Sequence, residues 1–228
     1  MKLSHTFSKK QCLLGLVLMG LDLLIFPILL RFLNTVLGNP FNLTQLNFTL
    51  FVLNFLLVIL LFRGFLLENL RTALRDTKQL LSSAGLGFLL YYGGAVVMAY
   101  LILTIRPDYV NINDQAIGTL TGYSYPMMLT GTVLLVPTAE EMIYRGLLFT
   151  PLQRRNRVLA YGVSACVFSL VHLLNYLTVA DPLLLLLSFL QYLPAGIALC
   201  WAYERADSIF APILIHTAIN LIAMLALR

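Results

Sequence analysis

Long apolar runs leave this chain few ways to fold. Leu46–Phe62, Ala84–Ile105 and Leu183–Tyr203 contain no charged residue, and Cys12–Leu33 contains only Asp22 and Arg31. A helix needs about 17–25 such residues to cross the roughly 30 Å hydrocarbon core of a bilayer. Of the 228 residues, 60% are hydrophobic and 11% are charged, whereas a soluble domain carries about 25% charged residues. The chain therefore reads as an integral membrane protein. The expected fold is all-α, a polytopic bundle of about seven to eight transmembrane helices in a single membrane domain over residues 1–228. The net charge of +5 does not point to nucleic acid, because basic residues of membrane proteins collect in cytoplasmic loops. Cys12, Cys166 and Cys200 lie in apolar segments without metal-ligand spacing and are expected as small buried hydrophobes.

Lys9 and Lys10 precede an apolar stretch that runs to Leu33. That is too long for the apolar region of a signal peptide, so Cys12–Leu33 is the first expected span. It is kinked at Pro27 and carries Asp22 as a polar contact. Gly38-Asn39-Pro40 marks a turn before a second span, Leu46–Phe62. Residues 63–82 interleave charges with leucines at helical spacing. That fits either a helix along the membrane surface or a solvated connector. The third span, Ala84–Ile105, has Gly85, Gly87, Gly93 and Gly94 for close helix approach, and residues 106–123 read as a polar loop. Within 125–153, Pro137 and the Thr138-x-x-Glu141 capping pattern predict a helix that breaks and restarts. Further spans are expected at Val158–Leu177, at Leu183–Tyr203 and from Ile209 onward. With the N-terminus inside, the cytoplasmic side receives Lys2, Lys9, Lys10, Arg63, Arg71, Arg75, Lys78, Arg154, Arg155, Arg157 and Arg205, which is 11 of the 15 basic residues. The bias predicts seven spans with a cytoplasmic N-terminus, a multi-pass membrane protein.

Ionisable groups inside this apolar chain are the candidates for function. Glu140, Glu141 and Arg145 fall within six residues flanked by Leu134-Leu135-Val136 and Leu147-Leu148-Phe149. At about 1.5 Å per residue, Glu140 lies ~21 Å from Arg154, His172 ~22 Å from Arg157, and His216 and Asn220 ~14 and ~20 Å from Asp207. Four polar groups on three helices thus share one layer. Glu141 and Arg145, at i and i+4, are placed to pair. Glu140 points about 100° away and lacks that partner, which makes it the candidate base. His216 and Asn220, also at i and i+4, present two donors on one face that suit an oxyanion. A helical histidine, a Glu–Arg pair or a His–Asn pair is each common as structure alone, but the matched depth points to one polar site.

Glu140-Glu141-x-x-x-Arg145, Phe168-x-x-x-His172 and His216-x-x-x-Asn220, in this order, resemble the motifs of the CPBP family (CAAX proteases and bacteriocin-processing enzymes, also called Abi). The resemblance covers roughly residues 125–225 and implies an intramembrane endopeptidase. In that family pattern Glu140 and His172 activate the attacking water, and His216 and Asn220 bind the oxyanion. Glu141 and Arg145 shape the site, and Phe168 supports it. No metal is favoured, since the His-Glu-x-x-His pattern is absent. Zinc is the alternative, with Glu140, His172 and His216 as its ligands. The implied partners are the lipid bilayer and a hydrophobic peptide or membrane-anchored protein, cut near the cytoplasmic half of the membrane. The implied roles are bacteriocin processing, self-immunity or CAAX-type maturation. Two other functions would keep the same polar cluster: a non-catalytic immunity or sensor-binding scaffold, and a small proton-coupled transporter.

Overall fold

Most helices of this chain start on a side chain that accepts from their first turn. The computed structural model describes residues 3–228, so Lys2 lies outside the described residues. Among these residues the chain forms eight helices: α1 (Lys9–Val36), α2 (Leu43–Arg75), α3 (Thr77–Ile105), α4 (Ile112–Thr121), α5 (residues 125–153), α6 (Arg157–Val171), α7 (Pro182–Ala206) and α8 (Phe210–Ala226). Ser8 with Gln11, and Asn42 with Gln45, form reciprocal capping boxes at α1 and α2. Asp76, Asn111, Asn156 and Asp181 accept from the first turns of α3, α4, α6 and α7. Each such cap satisfies backbone donors that the helix leaves free, a contribution of about 1 kcal/mol.

Four helices, α1, α2, α3 and α7, are long and apolar enough to cross a membrane, and α6 and α8 are shorter apolar helices. The bundle is all-helical and polytopic, as expected. Four local expectations change. First, residues 63–75 continue α2 beyond a kink at Phe62 (φ −118°, ψ 18°). They form a helical segment after that kink rather than a plain solvated connector, because Asn69 is buried and docks the α7–α8 turn. Its Oδ1 accepts from the Ile209 N–H at 2.8 Å and its carbonyl accepts from Ser208 Oγ at 3.0 Å. Second, the expected polar loop 106–123 contains α4. Third, α6 stops at Val171, and His172 is its C-cap rather than a mid-helix residue. Fourth, Cys166 is exposed, while Cys200 is buried as expected.

Prolines shape the helices without breaking them. A proline has no N–H, and its ring crowds the carbonyl four residues back. Before Pro27, Pro137 and Pro151 the chain relieves this with wide turns, at Leu21–Ile25, Gly131–Leu135 and Met142–Phe149. The residue preceding each proline donates five residues back: Phe26 to Leu21, Val136 to Gly131 and Thr150 to Arg145. The expected break at Pro137 is therefore absent. Thr138 does not cap, since its hydroxyl donates to the Leu134 carbonyl at 3.2 Å.

α7 is the most enclosed of the four long helices and packs on α3, α6 and α8. Gly196 allows the α6–α7 crossing, because a Cβ there would sit 2.7 Å from the Ala165 Cα. Gly87 likewise admits α7 and α8 against α3, where a Cβ would meet Ile215 at 2.6 Å and Ala202 at 2.9 Å. Gly85 and Gly93 face open space.

The short connections fix two ends. At one end the α2–α3, α5–α6 and α7–α8 turns meet the segment before α1. Ser4 donates from its N–H (2.8 Å) and its hydroxyl to Asp207, Arg154 donates to the Leu3 carbonyl at 2.9 Å, and His5 bonds Thr72 at 2.8 Å. At the other end Arg106, after α3, pairs with Asp181 before α7 at 3.0 Å. There Thr44 of α2 donates to the Leu120 carbonyl of α4, and Tyr125 of α5 to the Met224 carbonyl of α8.

Candidate active site

α5, α6 and α8 bring the three motifs together around one aromatic ring. Glu141 and Arg145 are fully buried and pair at 3.1 Å, the expected i, i+4 contact. Breaking such a buried pair strands an uncompensated charge at a cost of about 3–5 kcal/mol. Arg145 also lies over the Phe168 ring, 4.8 Å from its centroid. His172 lies 4.6 Å and His216 5.7 Å from the same ring, centroid to centroid. Phe168 is thus the wall against which the arginine and both histidines are held.

The polar contacts separate the two adjacent glutamates. His216 Nδ1 bonds Glu141 Oε1 at 2.8 Å, so Glu141 serves both Arg145 and His216. Glu140 Oε2 stands 3.9 Å from His216 Nε2, is buried, and has no hydrogen-bond partner. His172 donates Nδ1–H to the Phe168 carbonyl at 2.8 Å, which leaves Nε2 free to accept. Its ring stacks on Tyr192 of α7 at 4.4 Å, and the Tyr192 hydroxyl donates to Asn111 Oδ1 at 3.3 Å.

Asn220 is held by the wide turn in α5. Val136 N–H reaches back to Gly131, and Pro137 has no N–H to offer. The Thr132 carbonyl takes its hydrogen bond from Asn220 Nδ2 instead, at 2.8 Å. One amide hydrogen of Asn220 is thereby used and the other remains.

These groups open on a cavity of about 800 Å³, lined among others by Asp22, Asn54, Glu140, His172, His216 and Asn220. A substrate-sized pocket with an apolar wall and a few convergent polar groups is the usual form of a binding site. Asp22, expected as a polar contact, accepts from Asn54 Nδ2 at 3.0 Å. Among the described residues no three His, Cys, Asp or Glu side chains are grouped to hold one metal ion. Tyr192, Thr132 and Asn54 were not among the expected site residues. Asn54 is a lone amide in an uncharged run and could have been singled out as Asp22 was; an aromatic residue in an apolar helix carries no such mark.

No curated protein and no solved structure matches the chain. Residues 122–222 match the family model described as Rce1-like, type II CAAX prenyl endopeptidase Rce1-like. That span contains Glu140-Glu141, Arg145, Phe168, His172, His216 and Asn220, all of the residues of the three motifs. This segment is similar to the CAAX-type membrane endopeptidases of the CPBP family.

Proposed function

We propose that the chain hydrolyses a peptide bond in a hydrophobic or membrane-anchored polypeptide, with Glu140 as general base. The observation that carries this reading is the contrast within one pair of neighbours. Glu141 is engaged by Arg145 and His216, while Glu140 Oε2 is buried without a hydrogen bond beside the same cavity. A carboxylate so placed is available to take a proton from water, and proton transfer of this kind contributes about 10²–10⁴-fold to a rate.

In this mechanism Glu140 takes a proton from a water that also donates to His172 Nε2. The water oxygen attacks the scissile carbonyl carbon, whose oxygen becomes the oxyanion. His216 in its imidazolium form, with Nδ1–H held by Glu141, gives Nε2–H to that oxygen, and the remaining amide hydrogen of Asn220 adds a second donor. Each such donor is worth about 3–4 kcal/mol at the transition state. The proton on Glu140 then passes to the leaving amine as the C–N bond breaks. With His216 protonated, Arg145 and His216 balance the two glutamates, which suits four ionisable groups in an apolar bundle. No step passes through a metal. The apolar cavity wall supports a hydrophobic substrate, and the resemblance to bacteriocin-processing members supports a short peptide or protein segment in a bacterial membrane.

The test is cleavage of a library of hydrophobic and prenylated peptides by purified protein in liposomes, with and without a chelator. Wild-type cleavage that survives chelation and disappears in both Glu140→Gln and His172→Ala is expected. Loss with chelator and recovery with zinc would overturn the metal-free mechanism. Full activity in Glu140→Gln would overturn the assignment of the base.

A further inference from the structure

Asp22 is a carboxylate of the first span that the mechanism above does not use. It stands in the wide turn of α1, Leu21–Ile25, and lines the cavity half-buried. Its Oδ2 accepts from Asn54 Nδ2 at 3.0 Å, which ties α1 to α2. A neutral amide or hydroxyl would make that tie without bringing a charge into an apolar bundle, and an ionisable group at membrane depth marks function by default. The pair also has acceptor capacity to spare. Among the described residues nothing donates to Asp22 Oδ1, and Asn54 Oδ1 is buried without a partner. The backbone adds a further acceptor. Phe26 N–H reaches back to Leu21 and Pro27 has no N–H, so the Asp22 carbonyl loses its helical donor. The same geometry in α5 frees the Thr132 carbonyl, which Asn220 takes. Among the described residues no side chain takes the Asp22 carbonyl.

The charge on the cavity wall is one-sided. Asp22, Asp114 and Glu140 line it, and no Lys or Arg among the described residues does. Arg145 is fully buried and committed to Glu141. A carboxylate taken out of water is costly until it is paired. A carboxylate oxygen, an amide oxygen and a freed carbonyl together suit a cation with several N–H donors, of which an ammonium offers three and a guanidinium five.

We infer that Asp22 and Asn54 form a substrate subsite that takes a lysine or arginine side chain of the polypeptide to be cleaved. The aliphatic stem of such a residue lies along the apolar cavity wall while its charged head reaches the carboxylate. Asp22 and Glu140 line one cavity of about 800 Å³, so the basic residue falls within a few residues of the scissile bond. A site built to bond a charged group rejects the analogue that lacks it, because its own acceptors then stay unpaired. The subsite therefore selects hydrophobic segments that carry one basic residue over segments that are apolar throughout. The cleavage rests on the peptidase reading above; the cation site rests only on Asp22, Asn54 and the charge of the cavity wall.

The experiment uses full-length protein in detergent micelles. Hydrophobic peptides carrying one lysine, walked through successive positions, are each paired with a norleucine counterpart, which keeps the stem and removes the charge. At the best position wild type is expected to cleave the lysine member with a kcat/KM about tenfold or more above its counterpart, and Asp22→Asn to bring that ratio close to one. Equal cleavage of both members of every pair by wild type, a comparison that needs no variant, would overturn the inference. So would a lysine preference that persists in Asp22→Asn. In a second arm, binding of the same peptides, fluorescently labelled, to Glu140→Gln protein is read by anisotropy. Tighter binding of the lysine member by about tenfold or more is expected, and its loss when Asp22→Asn is added. If the binding preference is present and wild type cleaves no peptide in a Glu140-dependent way, the peptidase reading fails and the cation site stands. If peptides are cleaved and no pair differs, the cation site fails and the peptidase reading stands.

Discussion

Glu204 and Glu140 are glutamates of the same bundle that meet opposite surroundings. Glu204, near the C-terminal end of α7, accepts from Gln153 at 3.0 Å on one oxygen. On the other it accepts from Tyr161 at 2.7 Å and from Arg157 at 2.8 and 3.0 Å. It ties α5, α6 and α7 together and has no capacity left for chemistry. Glu140 has a buried oxygen with no hydrogen bond, next to a cavity. A fold that saturates one buried carboxylate and leaves another unsatisfied has divided cohesion from reactivity. Unsatisfied buried polar groups are destabilising, and they collect where function requires them.

The strongest test of that division is the exchange of the two roles. Glu140→Gln is expected to lower peptide cleavage by about 10²–10⁴-fold with an unchanged unfolding midpoint in detergent. A large loss of stability with retained activity would reverse the comparison. Arg145→Ala should destabilise the fold by about 3–5 kcal/mol, since it leaves Glu141 buried without its cation. Thermal unfolding measures this, and adding Glu141→Gln should restore much of the loss. Gly196→Ala, which drives a Cβ into the Ala165 backbone, should cost about 1–3 kcal/mol as overpacking does, seen in the same melts. Glu204→Gln should cost about 1–3 kcal/mol through its charge-assisted bonds while cleavage stays near wild type. If it abolished cleavage in folded protein, the division between the ends would fail.

The smallest effect belongs to the exposed clip at the cavity end. Asp181 is held below the usual carboxylate range by the Leu184 N–H and by Arg106. A carboxylate lowered on folding stabilises above its unfolded value near pH 4 and loses that contribution as pH falls through the folded value. Wild type should therefore lose slightly more stability than Asp181→Asn as pH falls below about 4. Equal slopes in a pH series of melts would show that the clip contributes nothing.

Legibility followed the kind of signal each residue carries. The spans were readable because desolvating charge is expensive, so an uncharged run of membrane length has one natural meaning. Glu141 with Arg145 was readable because i, i+4 spacing is local geometry. Helix α4 was missed although Asn111 precedes Asp114 at capping distance, because its composition is that of a loop. The end of α6 was misjudged because residues 173–177 remain apolar, and hydropathy does not distinguish helix from turn. Tyr192 and Thr132 were beyond reach: one acts by stacking across helices, the other through a backbone carbonyl, and neither is written in side-chain pattern.

The wide turns before Pro27, Pro137 and Pro151 have a consequence for how α5 is numbered in space. Each holds about one residue more than an ordinary helical turn, and one residue corresponds to about 100° of rotation. A helical wheel drawn with constant period through residues 125–153 therefore loses phase at Gly131–Leu135 and again at Met142–Phe149. Side chains on either side of these segments keep their bearings only while the extra residue is present. Single-residue deletions there, more than most substitutions, would turn Glu140 and Arg145 out of alignment with α6 and α8.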